Sequence, residues 1–177
     1  MRLVVTRLLV FSFVFSFSVT SWGKKPKPPA PNPKPPAQVQ CVDHGKNLDI
    51  INEQVLIWKE QTPNQFLARA RVKGLLTKNY GRRNGHEHFQ IQLGKDFNST
   101  LEVIYNEDFG ALPELVPGAS VEACGDYITS DAPTSRYPAS PDGAIIHWVH
   151  RSNNEKKHNS GYVIINGKVF GYKQTHY

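Results

Sequence analysis

From Phe66 onward the chain alternates apolar and polar residues, and a repeat of two buries one face only in a β-strand. Residues 66–76 (FLARARVKGLL) alternate up to Gly74, and 88–93 (HFQIQL) place Phe89, Ile91 and Leu93 on one face. Residues 100–105 (TLEVIY), 120–128 (SVEACGDYI) and 144–149 (AIIHWV) predict a third, fourth and fifth strand. Between them, 77–85 read as a loop rich in Gly, Asn and Arg, 108–118 as a helical turn or loop, and 130–143, with three prolines, as a long loop. Residues 161–165 and 168–172 flank Asn166-Gly167, the pair favoured in a two-residue hairpin turn. Ahead of the strands, 46–61 carry Leu48, Ile51, Val55 and Trp58 at helical spacing, with Pro63 just beyond. These elements predict a mainly β fold: a small OB-like five-stranded barrel with an N-terminal helix and a C-terminal β-hairpin. A small sandwich has the same periodicity.

The first 37 residues belong to neither architecture. Arg2 and Arg7 precede a short apolar run, 8–19, and Ser21 and Gly23 follow as small residues, which together predict a secretory signal peptide over 1–23. The run is shorter than the ~20 residues that span a bilayer, so a signal fits better than an anchor, and no transmembrane segment is expected after its removal. The prolines of residues 24–37 (KKPKPPAPNPKPPA) lack the amide hydrogens that a helix or sheet needs and predict an extended linker. The folded part is then a single domain over 38–177, in the periplasm or outside the cell.

Export changes the reading of charge and of cysteine. The chain has 21 Lys+Arg against 15 Asp+Glu, but six of those bases lie in the signal and linker, so 38–177 is neutral overall. The charge gives no support to a broadly basic nucleic-acid-binding surface, although a local patch of Lys78, Arg82 and Arg83 remains. Two cysteines in an exported chain, Cys41 and Cys124, are expected to pair.

Chemistry concentrates in histidine. Of His44, His86, His88, His147, His150, His158 and His176, the first and last lie near the domain ends. His86 and His88 share one face of an extended segment. His147 and His150 sit on opposite faces of a regular strand and converge only if the chain turns after Trp148. His158 follows in the next loop. Three neutral imidazoles with an open fourth position make a site for zinc or another divalent metal, for which His86, His147 and His158 are the candidates. A histidine beside a carboxylate instead serves as a general base, with His150 or Asp108 the candidate catalytic residue that handles protons and Glu87 and Asp142 further acids nearby. Arg82, Arg83, Asn106, Trp148 and Arg151 are candidate substrate contacts. No HExxH motif, nucleophile elbow or phosphate loop is present.

The run from Gly143 through His147-Trp148-Val149-His150 to His158 and Gly161-Tyr162 resembles the signature of a family of small exported bacterial proteins of unknown function. That family's pattern is G-G-hydrophobic-hydrophobic-H-W-T-H, a polar loop, H, two residues and G-W. Upstream it carries a histidine three residues before a strand phenylalanine, as His86 and Phe89 do, and H-N-x-D, matched by Asn106 and Asp108. Here Tyr105 replaces that motif's histidine, Val149 the threonine and Tyr162 the last tryptophan, and 130–142 lengthen a link that is short in the family. The resemblance implies a site but names no chemistry. The expected function is a binding module with a histidine-lined, metal-binding site for an envelope or extracellular ligand. The alternatives are a metal-dependent hydrolase of nuclease or phosphodiesterase type, with nucleic acid as substrate, and a structural envelope protein.

Overall fold

Strand β3 (Leu67–Arg83) is long because it serves two partners in turn. It pairs antiparallel with β6 (Ser120–Thr129), from Leu67 opposite Ile128 to Leu75 opposite Ser120. From Leu75 onward it pairs with β4 (His86–Gln92), ending with Arg83 opposite His86. Gly74 stands at the handover, where a Cβ would overlap the carbonyl oxygen of Gln92, so only glycine lets the second partner in. Two register shifts beyond it, at Leu76/Lys78 and Asn79/Gly81, bend the strand further.

The structure is a computed structural model that describes residues 39–172. The expected signal peptide and the whole of the expected linker, together with His176, lie outside the described residues. Among the described residues the architecture is mainly β: a seven-stranded, partly ringed sheet, a two-stranded sheet, one helix and one 3-10 turn. Strand β5 (Thr100–Asn106) pairs antiparallel with β4, and β7 (Ala144–His147) lies between β5, to which it is parallel, and β6, to which it is antiparallel. The hairpin of β8 (Tyr162–Ile165) and β9 (Lys168–Phe170) continues from β6 through the expected Asn166-Gly167 turn. Because β8 and β9 extend the same sheet from β6, it does not reduce to a separate five-stranded barrel.

Two expectations need correction. The segment read as a loop, 77–85, is strand up to Arg83, and the turn is Asn84-Gly85, both at positive φ (51° and 76°). That is the backbone a two-residue hairpin demands. The helix expected over 46–61 is not seen at that length. Lys46–Asn47 is β2, paired with β1 (Val42–Asp43) across a His44-Gly45 turn, and α1 is confined to Asn52–Gln61. Leu48 is drawn instead into a small cluster with Cys41, Cys124 and Tyr162, and Ile51 donates its backbone N–H to Arg71.

The core lies on the inner face of the ring, with Val72, Leu76, Phe89, Ile91, Leu101, Val103, Val121, Tyr127 and Ile146 fully buried. Helix α1 closes one end, Val55 buried and Trp58 tilted against Phe66 and Tyr127. On the outer face, the long loop before β7 is pinned by Asp142, 5% exposed, which accepts hydrogen bonds from Tyr80 Oη (3.0 Å), Gln90 Nε2 (2.5 Å) and Thr100 Oγ1 (2.7 Å). Asp142 is thereby a structural carboxylate. No helix among the described residues is long and apolar enough to cross a membrane.

Cys41 and Cys124 are bonded, 83 residues apart, and fasten the N-terminal segment to β6. In the chain-entropy account a loop of this length contributes about 4 kcal/mol. The Cys41→Ala, Cys124→Ala double variant is therefore expected to lose stability on that scale, read from the urea unfolding midpoint under non-reducing conditions.

Candidate functional site

Strand β7 ends with His147 opposite Asp126, and β8 begins with Tyr162 opposite Cys124. Both use the edge of β6 that β3 leaves free, so residues 148–161 depart from the sheet and return to it at Gly125. A Cβ on Gly125 would overlap the His147 carbonyl oxygen, and one on Gly161 the carbonyl oxygens of Trp148 and Cys124. The turn after His147 is held by Gly161 N–H donating to His150 O (2.7 Å) and Arg151 N–H donating to Gly171 O (2.8 Å). Trp148 takes φ +55°, a left-handed conformation that costs a non-glycine residue about 1 to 2 kcal/mol. This break ends the fifth strand two residues earlier than its apolar pattern predicts and brings His147 and His150 to one region.

The turn gathers aromatic rings. Trp148 stacks on His158 with centroids 4.0 Å apart and planes at 10°, and lies 5.4 Å from His150 and 5.6 Å from His147. His150, 5% exposed, stacks on Phe109 at 3.9 Å and 15°. His86 comes from β4 to within 5.5 Å of His147, edge to face. It can do so because β4 presents His86 and His88 outward while Phe89 and Ile91 fill the core.

Four of these imidazoles share one hydrogen-bonding pattern. Nδ1 faces an oxygen that can only accept: Asn84 O for His86 (2.9 Å), Glu102 Oε1 for His88 (2.8 Å), Arg151 O for His150 (2.9 Å) and Asp126 Oδ2 for His158 (3.1 Å). The proton of each neutral ring therefore sits on Nδ1, and the lone pair is left on Nε2. His147 has its pKa lowered to about 4, first by burial and then by His86 and His150, with Asp126 opposing. Burial also lowers that of His150, with His86 and His158 adding to the effect. Both are neutral rings at physiological pH, and a neutral imidazole is the form that binds a metal.

The structure brings together His86, His147, His150, His158 and Trp148, and leaves other candidates apart. Asp108 is exposed on the 3-10 turn Glu107–Phe109, and among the described residues its carboxylate has no partner. Asn106 caps that turn by accepting from Asp108 N–H (2.9 Å). Arg82 is paired with Glu87 (2.7 Å) and Glu107 (3.0 Å), and Arg83 with Glu102 (3.5 Å), so neither cation is free. Arg151 is exposed, and His44 is exposed beside Asp43, far along the chain from the ring cluster. Among the described residues, no three His, Cys, Asp or Glu side chains are already grouped as metal ligands.

Asp126, Glu102, Phe109 and Arg69 are the site residues that sequence reasoning missed. One signal existed: basic residues alternate along 69–73 and acids stand at Glu122 and Asp126, a complementarity that pairing of the two strands makes visible. In comparisons with protein-family models, curated proteins and solved structures, nothing matches this chain.

The lowered pKa of His147 has a thermodynamic sign. Unfolded chains protonate this ring below about 6.5, whereas the folded protein resists until about 4. The protein then loses stability as pH falls between those values, by an amount on the order of 3 kcal/mol from this residue. Denaturant unfolding at pH 7.5 and 4.5 is expected to show a smaller loss in His147→Gln than in the native protein.

Proposed function

We propose that this protein is an exported binding module with an OB-like barrel, whose histidine cluster takes up a divalent transition metal ion. Support for the barrel comes from the pairings: β3, β4, β5, β7 and β6 follow one another and return to β3, with β5 and β7 parallel. Folds of the OB type bind ligands on the face of their second and third strands, here β4 and β5, where His86 and His88 project. The disulfide fits an oxidising compartment, as does the resemblance to exported bacterial proteins.

The observation that carries the metal reading is the locking of the His86, His150 and His158 ring protons on Nδ1. Histidines that bind metals donate the other ring N–H to a carboxylate or carbonyl, which fixes the tautomer and aims the free nitrogen. Imidazole donors suit zinc, copper and nickel rather than magnesium or calcium. His86, His147 and His158 are the proposed ligands, with His150 beside them. Capture requires these side chains to close on the ion, because they do not stand at ligand spacing beforehand. An ion held there would polarise a bound molecule or complete a contact to a partner in the envelope. Hydrolysis has weaker support, since Asp108 bonds to no histidine and Arg82 and Arg83 are engaged by carboxylates.

The test is calorimetric titration of the untagged protein with zinc, copper and nickel ions. Near-stoichiometric binding is expected, weakened more than about tenfold in His147→Ala while the far-ultraviolet circular dichroism stays unchanged. Failure of all three ions to bind would sink the metal reading. Turnover of a phosphodiester by the loaded protein, lost with His147→Ala, would move the assignment to a hydrolase.

A further inference from the structure

Within the cluster of His86, His147, His150 and His158, His158 is the ring whose Nδ1 faces a side-chain carboxylate, and the support of that carboxylate lies one strand away. Asp126 of β6 stands in register between Arg69 of β3 and His147 of β7. Its two carboxylate oxygens are divided between neighbours. Oδ1 accepts from Arg69 Nη1 at 2.9 Å, and Oδ2 accepts from His158 Nδ1 at 3.1 Å. The Arg69 side chain is 5% exposed, and its other terminal nitrogen, Nη2, donates to Ser160 O at 2.6 Å and approaches Cys124 Sγ at 3.2 Å. One planar guanidinium thus fixes both the carboxylate and, through Ser160, the loop that carries His158.

Two restraints act on the His158 ring in different directions. Stacking on Trp148 at 4.0 Å sets the plane of the ring. The bond to Asp126 sets rotation within that plane and holds the proton on Nδ1. A free neutral histidine side chain favours the proton on Nε2, so the carboxylate reverses the ordinary preference. Replacing it also leaves Arg69, a buried cation, without its partner.

We propose that Asp126, held by Arg69, is the positioning residue of the histidine site, fixing the tautomer and orientation of His158 so that Nε2 is presented as a lone-pair donor. This inference rests on the metal-binding reading for its purpose, but its geometry stands apart from it.

The experiment uses 15N-labelled full-length protein without added metal, at about pH 8.5, above the ordinary histidine range. Long-range 1H–15N correlation spectra assign the proton of each ring. The native protein is expected to show His158 protonated on Nδ1, with Asp126→Ala and the isosteric Asp126→Asn both shifting it towards Nε2. The asparagine variant keeps the volume of the side chain and carries the test if the alanine variant does not fold. A native His158 protonated on Nε2, or one whose tautomer is the same in folded Asp126→Asn, overturns the proposal. Zinc titration of the same proteins then reads the consequence, with affinity reduced about 10- to 100-fold in Asp126→Asn, as for other carboxylates that orient a metal-binding histidine. Zinc affinity unchanged in Asp126→Asn also overturns it. If the native protein binds no zinc, the functional reading falls while the tautomer spectra still decide the role of Asp126.

Discussion

The architecture depends on one strand being shared. β3 hydrogen-bonds to β6 over its first half and to β4 over its second, and the exchange is possible because Gly74 leaves room for the Gln92 carbonyl. A side chain at that point would hold the two partners apart, and with them the inner face on which Phe89, Ile91, Val121 and Tyr127 meet. Once β3 has bent, β4 carries β5 round towards β6, and β7 enters between them. The ring of strands depends on this bend.

The site is a by-product of a second sharing. β6 offers one edge to two short strands, β7 and β8, and the residues between them must leave the sheet and come back at the same place. That excursion is kept tight by glycines against backbone carbonyls, at the expense of a strained Trp148. Energy stored in such a residue must be supplied by its surroundings, here the stack with His158 and the hydrogen bonds of His150 and Arg151 to neighbouring glycines. Aromatic rings and imidazoles that lie in separate parts of the sequence are thereby brought together on a rigid support.

Local patterns in the sequence reported local structure well. Alternation located β5, β6 and the first half of β3 within a residue or two, and Asn166-Gly167 located the hairpin turn. Asn84-Gly85 carries the same signal, but it is masked by a surrounding stretch so rich in Gly, Asn and Arg that 77–85 as a whole reads as a loop. The helical spacing of Leu48 with Ile51 predicts a helix that starts six residues before α1, although the Leu48 side chain belongs with the disulfide. At the site, the nearness of His147, Trp148 and His150 was legible, since they are neighbours in the chain. The roles of Asp126, Glu102, Arg69 and Phe109 were not, because they arise from register between strands distant in sequence. A periodic pattern says which way a side chain faces, but not which residue will be opposite it.

The disulfide has one more consequence, which is mechanical. A pull that reaches the domain along the chain from the side of the proline-lysine segment meets Cys41 almost at once. The covalent bond passes that load straight to Cys124 in β6, a strand laced to β3, β7 and β8. Residues 42–123 are then shunted out of the path of the force, and neither α1 nor the bend at Gly74 bears it. A tethered domain built this way resists unravelling from its leading end, which is the end a linker would tug.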